Sequence, residues 1–115
     1  MDYALVLTHH PDFAGRLWGM TDNDYSTLTW DDANDIPMPS QGDLDAAWPS
    51  VRDALAWDRV RAERDRLLGA SDWTQVADAP LTASVKQAWA DYRQTLRDVP
   101  QDFDTPDDVT WPETP

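Results

Sequence analysis

The chain has 115 residues, a length typical of one domain or of two very small modules, and this excludes a large multidomain enzyme. Leu, Ile, Val and Phe contribute only 20 residues and the net charge is −13, a combination close to that of disordered chains. Seven Trp oppose that tendency, because each aromatic side chain can bury about 150 to 250 Å² of surface. We therefore expect a folded chain in which aromatic residues supply most of the apolar burial.

Several kinds of site are disfavoured by what the chain lacks. It has no Cys, and its only two His residues, His9 and His10, are adjacent, which does not make a metal site. Neither a glycine-rich phosphate loop nor a nucleophile elbow occurs, so we predict no catalytic residues, no metal and no cofactor. No apolar run approaches the ~20 residues of a membrane span and no signal peptide is recognisable, so we expect a cytoplasmic protein without membrane contact.

The charge is concentrated at the two ends of the chain. Residues 1–50 carry nine acids and one base, residues 51–97 carry seven acids and eight bases, and residues 98–115 carry six acids and no base. Acidic ends repel nucleic acid and anionic lipid and favour a basic protein surface. We therefore predict a protein partner and no nucleic-acid binding.

Residues 1–39 are predicted to form a small antiparallel β region that docks on a partner. Three short apolar runs, Tyr3–Thr8, Leu17–Met20 and Leu28–Trp30, are separated by turn-forming residues. The prolines and acids of 31–39 cannot continue the interior of a sheet. A short sheet followed by a linker is the structure that this pattern favours.

Residues 40–115 are predicted to be a helical module with an extended tail. Ser40, with an acid three residues later, is typical of a helix cap and predicts a short helix over 41–47. Pro49 is expected to interrupt that helix and to begin a second one over 49–68. The whole chain is accordingly assigned to the α+β class.

The second and third helices are predicted to form a hairpin. Gly69 is expected to end the second helix, and Thr82 to cap a third helix over 83–98, which Pro100 stops. The third helix carries the clearest apolar stripe of the chain, at Val85, Trp89, Tyr92 and Leu96. The acidic segment 99–115 contains too many prolines for a helix and is predicted to be extended.

The second half of the chain also carries a pattern seen in a known family. The pattern begins at Arg64–Leu68, continues through the Ser71–Gln75 loop to Pro100, and ends in Val109–Pro112. In its order and spacing it resembles, over about residues 61–112, the C-terminal module of tail assembly chaperones and tail-fibre assembly proteins of tailed bacteriophages. The resemblance implies a noncatalytic protein that binds a trimeric fibre or tail protein during assembly in the infected bacterium and that can remain in the virion tail.

Two groups of apolar residues receive roles. The thin N-terminal region has little core to cover its side chains, and Trp is frequent in interface hot spots, so a partner-binding surface is predicted there. This N-terminal docking set consists of Trp18, Tyr25, Leu28, Trp30, Ile36 and Met38, with Trp57 and Val60 as a further helical contact. The burial preference of aromatics predicts a core for the helical module. That core consists of Leu67, Leu68, Trp73, Val85, Trp89, Tyr92, Leu96 and Trp111.

Two other functions fit parts of the sequence. A glycan-binding accessory protein at the fibre tip would use exposed Trp to stack on sugars. An acidic inhibitor that mimics DNA would use the net charge of −13, and its affinity for a target would fall steeply with salt. The nearly neutral centre of the chain argues against the DNA mimic.

Overall fold

A computed structural model describes all 115 residues and divides them into two compact units, Met1–Ala54 and Leu55–Pro115. The elements in chain order are α1 (Tyr3–His9), β1 (Trp18–Gly19), β2 (Thr29–Trp30), α2 (Gln41–Ser71) and α3 (Ala83–Asp102). Three single-turn 3₁₀ helices span Tyr25–Thr27, Asp72–Gln75 and Pro106–Asp108. A two-stranded antiparallel sheet together with these helices confirms the α+β class.

The first element is a helix, so the prediction of a strand over Tyr3–Thr8 is wrong. The carboxylate of Asp2 accepts a hydrogen bond from the amide of Leu5 at 3.0 Å and so caps the helix. Val6 and Leu7 point into the core of unit 1. A short apolar run fits a strand or a helix equally well, and here the capping Asp decides between them.

The two strands lie where the Leu17–Met20 and Leu28–Trp30 runs predicted them, in an antiparallel ribbon. Trp18 pairs with Trp30 and Gly19 pairs with Thr29. A Cβ at Gly19 would lie 3.0 Å from the Thr29 hydroxyl, so glycine leaves room for this side chain, which donates to the Gly19 carbonyl at 3.3 Å. In the connection between the strands, Asp22 and Asn23 adopt positive φ angles of 52° and 56°.

The start of α2 confirms the predicted cap. The Ser40 hydroxyl accepts a hydrogen bond from the amide of Asp43 at 3.1 Å, and the carboxylate of Asp43 accepts one from the amide of Ser40 at 3.0 Å. This reciprocal pair satisfies two amides that a helix N-terminus otherwise leaves free. It fixes the first residue of α2 as Gln41.

Pro49 lies inside α2, and the predicted interruption there is wrong. An interior proline removes one backbone hydrogen bond and costs about 3 kcal/mol. The buried residues Leu44, Ala47 and Val51 continue at helical spacing across the exposed Pro49. Burial on both sides of the proline therefore offsets its cost, and the helix remains continuous.

Both later helices run beyond their predicted ends. Gly69 does not end α2, which reaches Ser71, where side chains rather than a left-handed glycine satisfy the last carbonyls. Thr82 caps α3 as predicted, since its hydroxyl accepts from the amide of Val85 at 3.3 Å. Pro100 does not stop α3, which ends two residues later, because the fully buried Val99 holds the last turn in place.

The best buried side chains are aliphatic, contrary to the expectation of aromatic cores. They are Val6, Leu7 and Leu44 in unit 1 and Leu96 and Val99 in unit 2. None of the seven Trp is buried: Trp73 is exposed and the other six are half-buried. A thin layer of helices can enclose a Leu or Val completely, whereas the larger indole retains an accessible edge.

Candidate partner-binding surfaces

Arg93 of α3 is held by the end of α2. Its guanidinium donates hydrogen bonds to the Leu68 carbonyl at 2.6 Å, the Ser71 hydroxyl at 2.7 Å and the Asp72 carboxylate at 2.7 Å. Arg93 is only 9% exposed, whereas the Asp72 side chain is 67% exposed. The buried cation thus reaches its counterion at the surface, and its other bonds satisfy groups at the end of a helix.

The loop that follows α2 is fixed at both ends. The hydroxyl of the fully buried Thr74 donates to the Ser71 carbonyl at 2.6 Å, which closes the turn. The Gln75 amide group donates to the Lys86 carbonyl at 3.2 Å, and the Lys86 ammonium donates to the Val76 carbonyl at 2.9 Å. Segment 71–76 is therefore attached to the first turns of α3.

An apolar surface lies exposed on this rigid support. Trp73 is 49% exposed, Val76 is 48% exposed and Val85 is 41% exposed. The Trp73 ring lies 6.3 Å from that of Trp89, which follows Val85 by one helical turn. We call these four residues the Trp73 surface. Trp73 and Val85 were predicted in the core of the module and are not there, because the stripe of α3 extends past the segment that covers it.

The remaining predicted core residues differ in their burial. Tyr92 and Leu96 are buried, and the Tyr92 ring meets that of Trp89 edge-on at 5.6 Å. The others, Leu67, Leu68, Trp89 and Trp111, are half-buried. The inner half of the α3 stripe is thus covered, and its outer half forms the Trp73 surface.

The N-terminal docking set lies in unit 1, around the two-stranded ribbon. Trp18 and Trp30 line an open depression of about 500 Å³, together with Leu17 and Asp31 among other residues. The indole N–H of Trp30 donates to the Ile36 carbonyl at 3.0 Å, so this ring has a fixed orientation. The ribbon therefore presents two half-buried indoles on a defined support.

The other members of that set are not equally accessible. Met38 is exposed and Ile36 is half-buried. The hydroxyl of the half-buried Tyr25 donates to the Pro39 carbonyl at 2.7 Å. Leu28, which precedes β2, is buried and offers a partner little surface, in contrast to its prediction as a contact residue.

The charged stretch of α2 is largely paired within itself. The Arg61 guanidinium lies 3.5 Å from the Asp58 carboxylate and 6.0 Å from the centre of the half-buried Trp57 ring. Val60 is also half-buried. A 2.6 Å hydrogen bond from Arg66 lowers the pKa of Glu63 below its ordinary value and raises that of Arg66.

The second half of the chain matches a known protein family. A model of the family described as phage tail assembly chaperone protein matches residues 57–115, just over half of the chain. The chain belongs to the phage tail assembly chaperone family. This confirms the resemblance drawn from the sequence and gives the protein a role in phage tail assembly. Neither a curated protein nor a solved structure matches the chain significantly.

The matched part of this chaperone contains two features that sequence reasoning missed. Arg93 was not singled out, although it follows Trp89 by one turn and adjoins Tyr92, so it falls on the apolar face of α3. Val76 was not assigned either, because it lies in a loop outside the apolar stripe of α3. The position of Arg93 on that face is the signal that would have identified a buried cation.

Metal-binding groups and membrane-spanning helices are two further features that a structure can reveal. No group of His, Asp and Glu side chains is arranged to hold a metal ion. None of its helices combines the length and the apolar character needed to cross a membrane. Exposed and half-buried apolar residues are grouped in two places, the Trp73 surface in unit 2 and the N-terminal docking set in unit 1.

Proposed function

We propose that this chaperone binds a fibre or tail polypeptide stoichiometrically, through apolar surface that its own fold leaves uncovered. The observation that carries the proposal is the incomplete burial of all seven Trp. Trp is among the residues most enriched in interface hot spots, and a partner that covers its free edge gains apolar burial. No bond is made or broken in this activity.

The need for such a protein follows from the physics of fibre assembly. A trimerising fibre exposes strand edges and apolar surface before it closes, and these surfaces aggregate unless they are covered. A protein with a net charge of −13 keeps the covered intermediate soluble and attracts basic segments. We place this step in the cytoplasm of the infected bacterium, and the chaperone can then remain in the virion tail.

Residues 1–39 form the docking region in this proposal, and residues 40–115 form the helical module. The contact residues are the accessible members of the N-terminal docking set, with the buried Leu28 in their midst along the chain. Trp57 and Val60 of α2 are the further helical contact. The paired residues Trp18 and Trp30 favour this assignment, since both are half-buried and the Trp30 ring is held by its hydrogen bond to the Ile36 carbonyl.

Co-expression with the fibre and tail polypeptides of the same phage, one at a time, tests the proposal. We expect one of them to become soluble and to co-elute with the chaperone at a fixed ratio in size-exclusion chromatography. If each polypeptide assembles equally well alone and none co-elutes with the chaperone, the proposed function is wrong.

The N-terminal contact has its own test in that system. Trp30→Ala removes one indole of the ribbon and is expected to weaken co-elution. Trp111→Ala is the matched control, because it removes a half-buried Trp outside the docking set. Circular dichroism verifies that both variants keep the helical content of the parent. Equal co-elution of the two variants and the parent would overturn the docking assignment.

A further inference from the structure

We infer that the Trp73 surface is the docking site for a partner segment in which apolar side chains are flanked by Lys or Arg. The inference rests on the proposed function and deepens it, since it adds a contact in unit 2 and states the chemistry of the segment that binds there. Three properties of this surface argue for the inference: its exposure, the fixed backbone that carries it, and the charges around it.

The exposed indole is held on both sides along the chain. Asp72, which precedes Trp73, is bound by Arg93, and Thr74, which follows it, is fully buried. The two hydrogen bonds between Lys86 and segment 75–76 hold Val76 beside α3. The conformational entropy of this surface is therefore already lost on folding, and a partner gains its burial without ordering a loop.

The charge around the surface selects the partner. Two cations of this region are engaged within the fold: the Lys86 ammonium donates to the Val76 carbonyl, and Arg93 is paired with Asp72. Asp78, two residues after Val76, is exposed and takes part in no ion pair. A free carboxylate near an apolar surface, in a unit with an excess of acids, complements a segment with apolar residues and flanking cations.

The same charges disfavour a second copy of the chain as the occupant. Residues 55–115 carry twelve acids and seven bases, so two copies that meet at this surface bring like charges together. Like charges in contact reduce affinity, whereas a basic segment gains both contact energy and association rate. A polypeptide with cationic flanks is thus the occupant that the surface favours.

Substitutions in the full-length chaperone test the surface. The probe is the fibre or tail polypeptide of the same phage that co-elutes with the parent. Val85→Glu places a charge in the middle of the surface, and Trp73→Ala removes its largest side chain. We expect each to weaken binding by about tenfold or more, as is typical of interface hot spots. Ala62→Glu is the matched control, because it adds the same charge at an exposed position of α2 and should leave the affinity unchanged.

Peptides test the chemistry of the occupant. Short overlapping peptides that cover the captured polypeptide are titrated against the parent and against Asp78→Lys. Binding peptides are expected to combine apolar residues with Lys or Arg, to bind more weakly at high salt, and to lose affinity for Asp78→Lys. Binding that is confined to acidic or uncharged peptides would overturn the assignment of a basic partner.

The outcomes separate this inference from the proposed function. If the parent captures a polypeptide and both Val85→Glu and Trp73→Ala bind it equally well, the proposed function stands and the inference is overturned. Capture by no polypeptide overturns the proposed function and, with it, the inference. A parent that dimerises in sedimentation while Val85→Glu stays monomeric assigns the surface to a second copy and likewise overturns the inference.

Discussion

The two units of the chain reach stability by different means. Unit 1 encloses Val6, Leu7 and Leu44 and ties its loops with side chains that bond nearby backbone, as Asn34 does with Leu17. Unit 2 uses two helices, a buried arginine and a cluster of aromatic rings. The difference teaches that the family-matched part owes its exposed apolar surface to the way its helices are joined, whereas the ribbon of unit 1 presents its indoles from a turn-rich segment.

The largest expected effect tests the aliphatic core of unit 1. Leu44→Ala removes a fully buried side chain and is expected to lower the free energy of unfolding by about 2 to 5 kcal/mol, since the cavity cannot fully collapse. Chemical denaturation followed by circular dichroism measures the change. Leu17→Ala, at an exposed site, is the control and should change it by less than about 0.5 kcal/mol. Equal effects of the two substitutions would mean that the aliphatic core is not what holds unit 1.

The next effect tests the arginine of unit 2. Arg93→Ala leaves the Leu68 carbonyl and the Ser71 hydroxyl without their donor, and we expect a loss of about 2 to 3 kcal/mol in the free energy of unfolding. The loss falls short of that for a fully buried ion pair because Asp72 remains solvated. Arg97→Ala on the same helix is the control, with an expected loss below about 0.5 kcal/mol. If Arg97→Ala lowers the free energy of unfolding as much as Arg93→Ala does, the hydrogen bonds from Arg93 to the end of α2 have no special role in stability.

Loss of a helix cap is expected to lower the free energy of unfolding by a smaller amount, which is about the same in both units. Ser40→Ala and Thr82→Ala each remove the hydroxyl that accepts a hydrogen bond at a helix N-terminus. Each is expected to cost about 1 kcal/mol of stability in denaturation. Ser40→Asp and Thr82→Asp retain a capping oxygen and should restore most of it. No loss in either alanine variant would show that water replaces the cap.

The smallest effect concerns pH. Because Arg66 lowers the pKa of Glu63 in the folded chain, this ion pair adds stability above the ordinary carboxyl pKa and loses it as the pH falls through the lowered value. The pair is exposed, so the contribution is small. Titration of the Glu63 carboxyl by NMR should show its pKa rise toward the ordinary value in Arg66→Gln. The same pKa in the parent and in Arg66→Gln would refute the pairing in solution.

Local signals in the sequence were sufficient for several elements. Hydroxyl residues at Ser40 and Thr82 identified two helix starts, because capping is decided by a few neighbouring atoms. The two strands of the ribbon were also predictable from a local signal, namely short apolar runs bounded by turn-forming residues. The prediction of a strand at Tyr3–Thr8 was wrong because it did not take into account that Asp2 can cap a helix.

Features set by packing were not predictable. Pro49 and Pro100 are typical helix breakers, and only the burial of neighbours such as Val51 and Val99 keeps the helices intact around them. Periodicity located the apolar face of α3 but could not show how much of it another segment covers. Val85 was therefore assigned to the core although it lies at the surface.

Quenching of Trp fluorescence tests the central claim, that indoles left accessible by the fold bind the partner polypeptide. A small neutral quencher is titrated into the free chaperone and into its complex with the captured fibre or tail polypeptide, for the parent and for Trp73→Phe. We predict strong quenching of the free chaperone, clear protection in the complex, and less of that protection in Trp73→Phe. Indoles shielded already in the free chain, or equally accessible with and without the partner, would contradict the account.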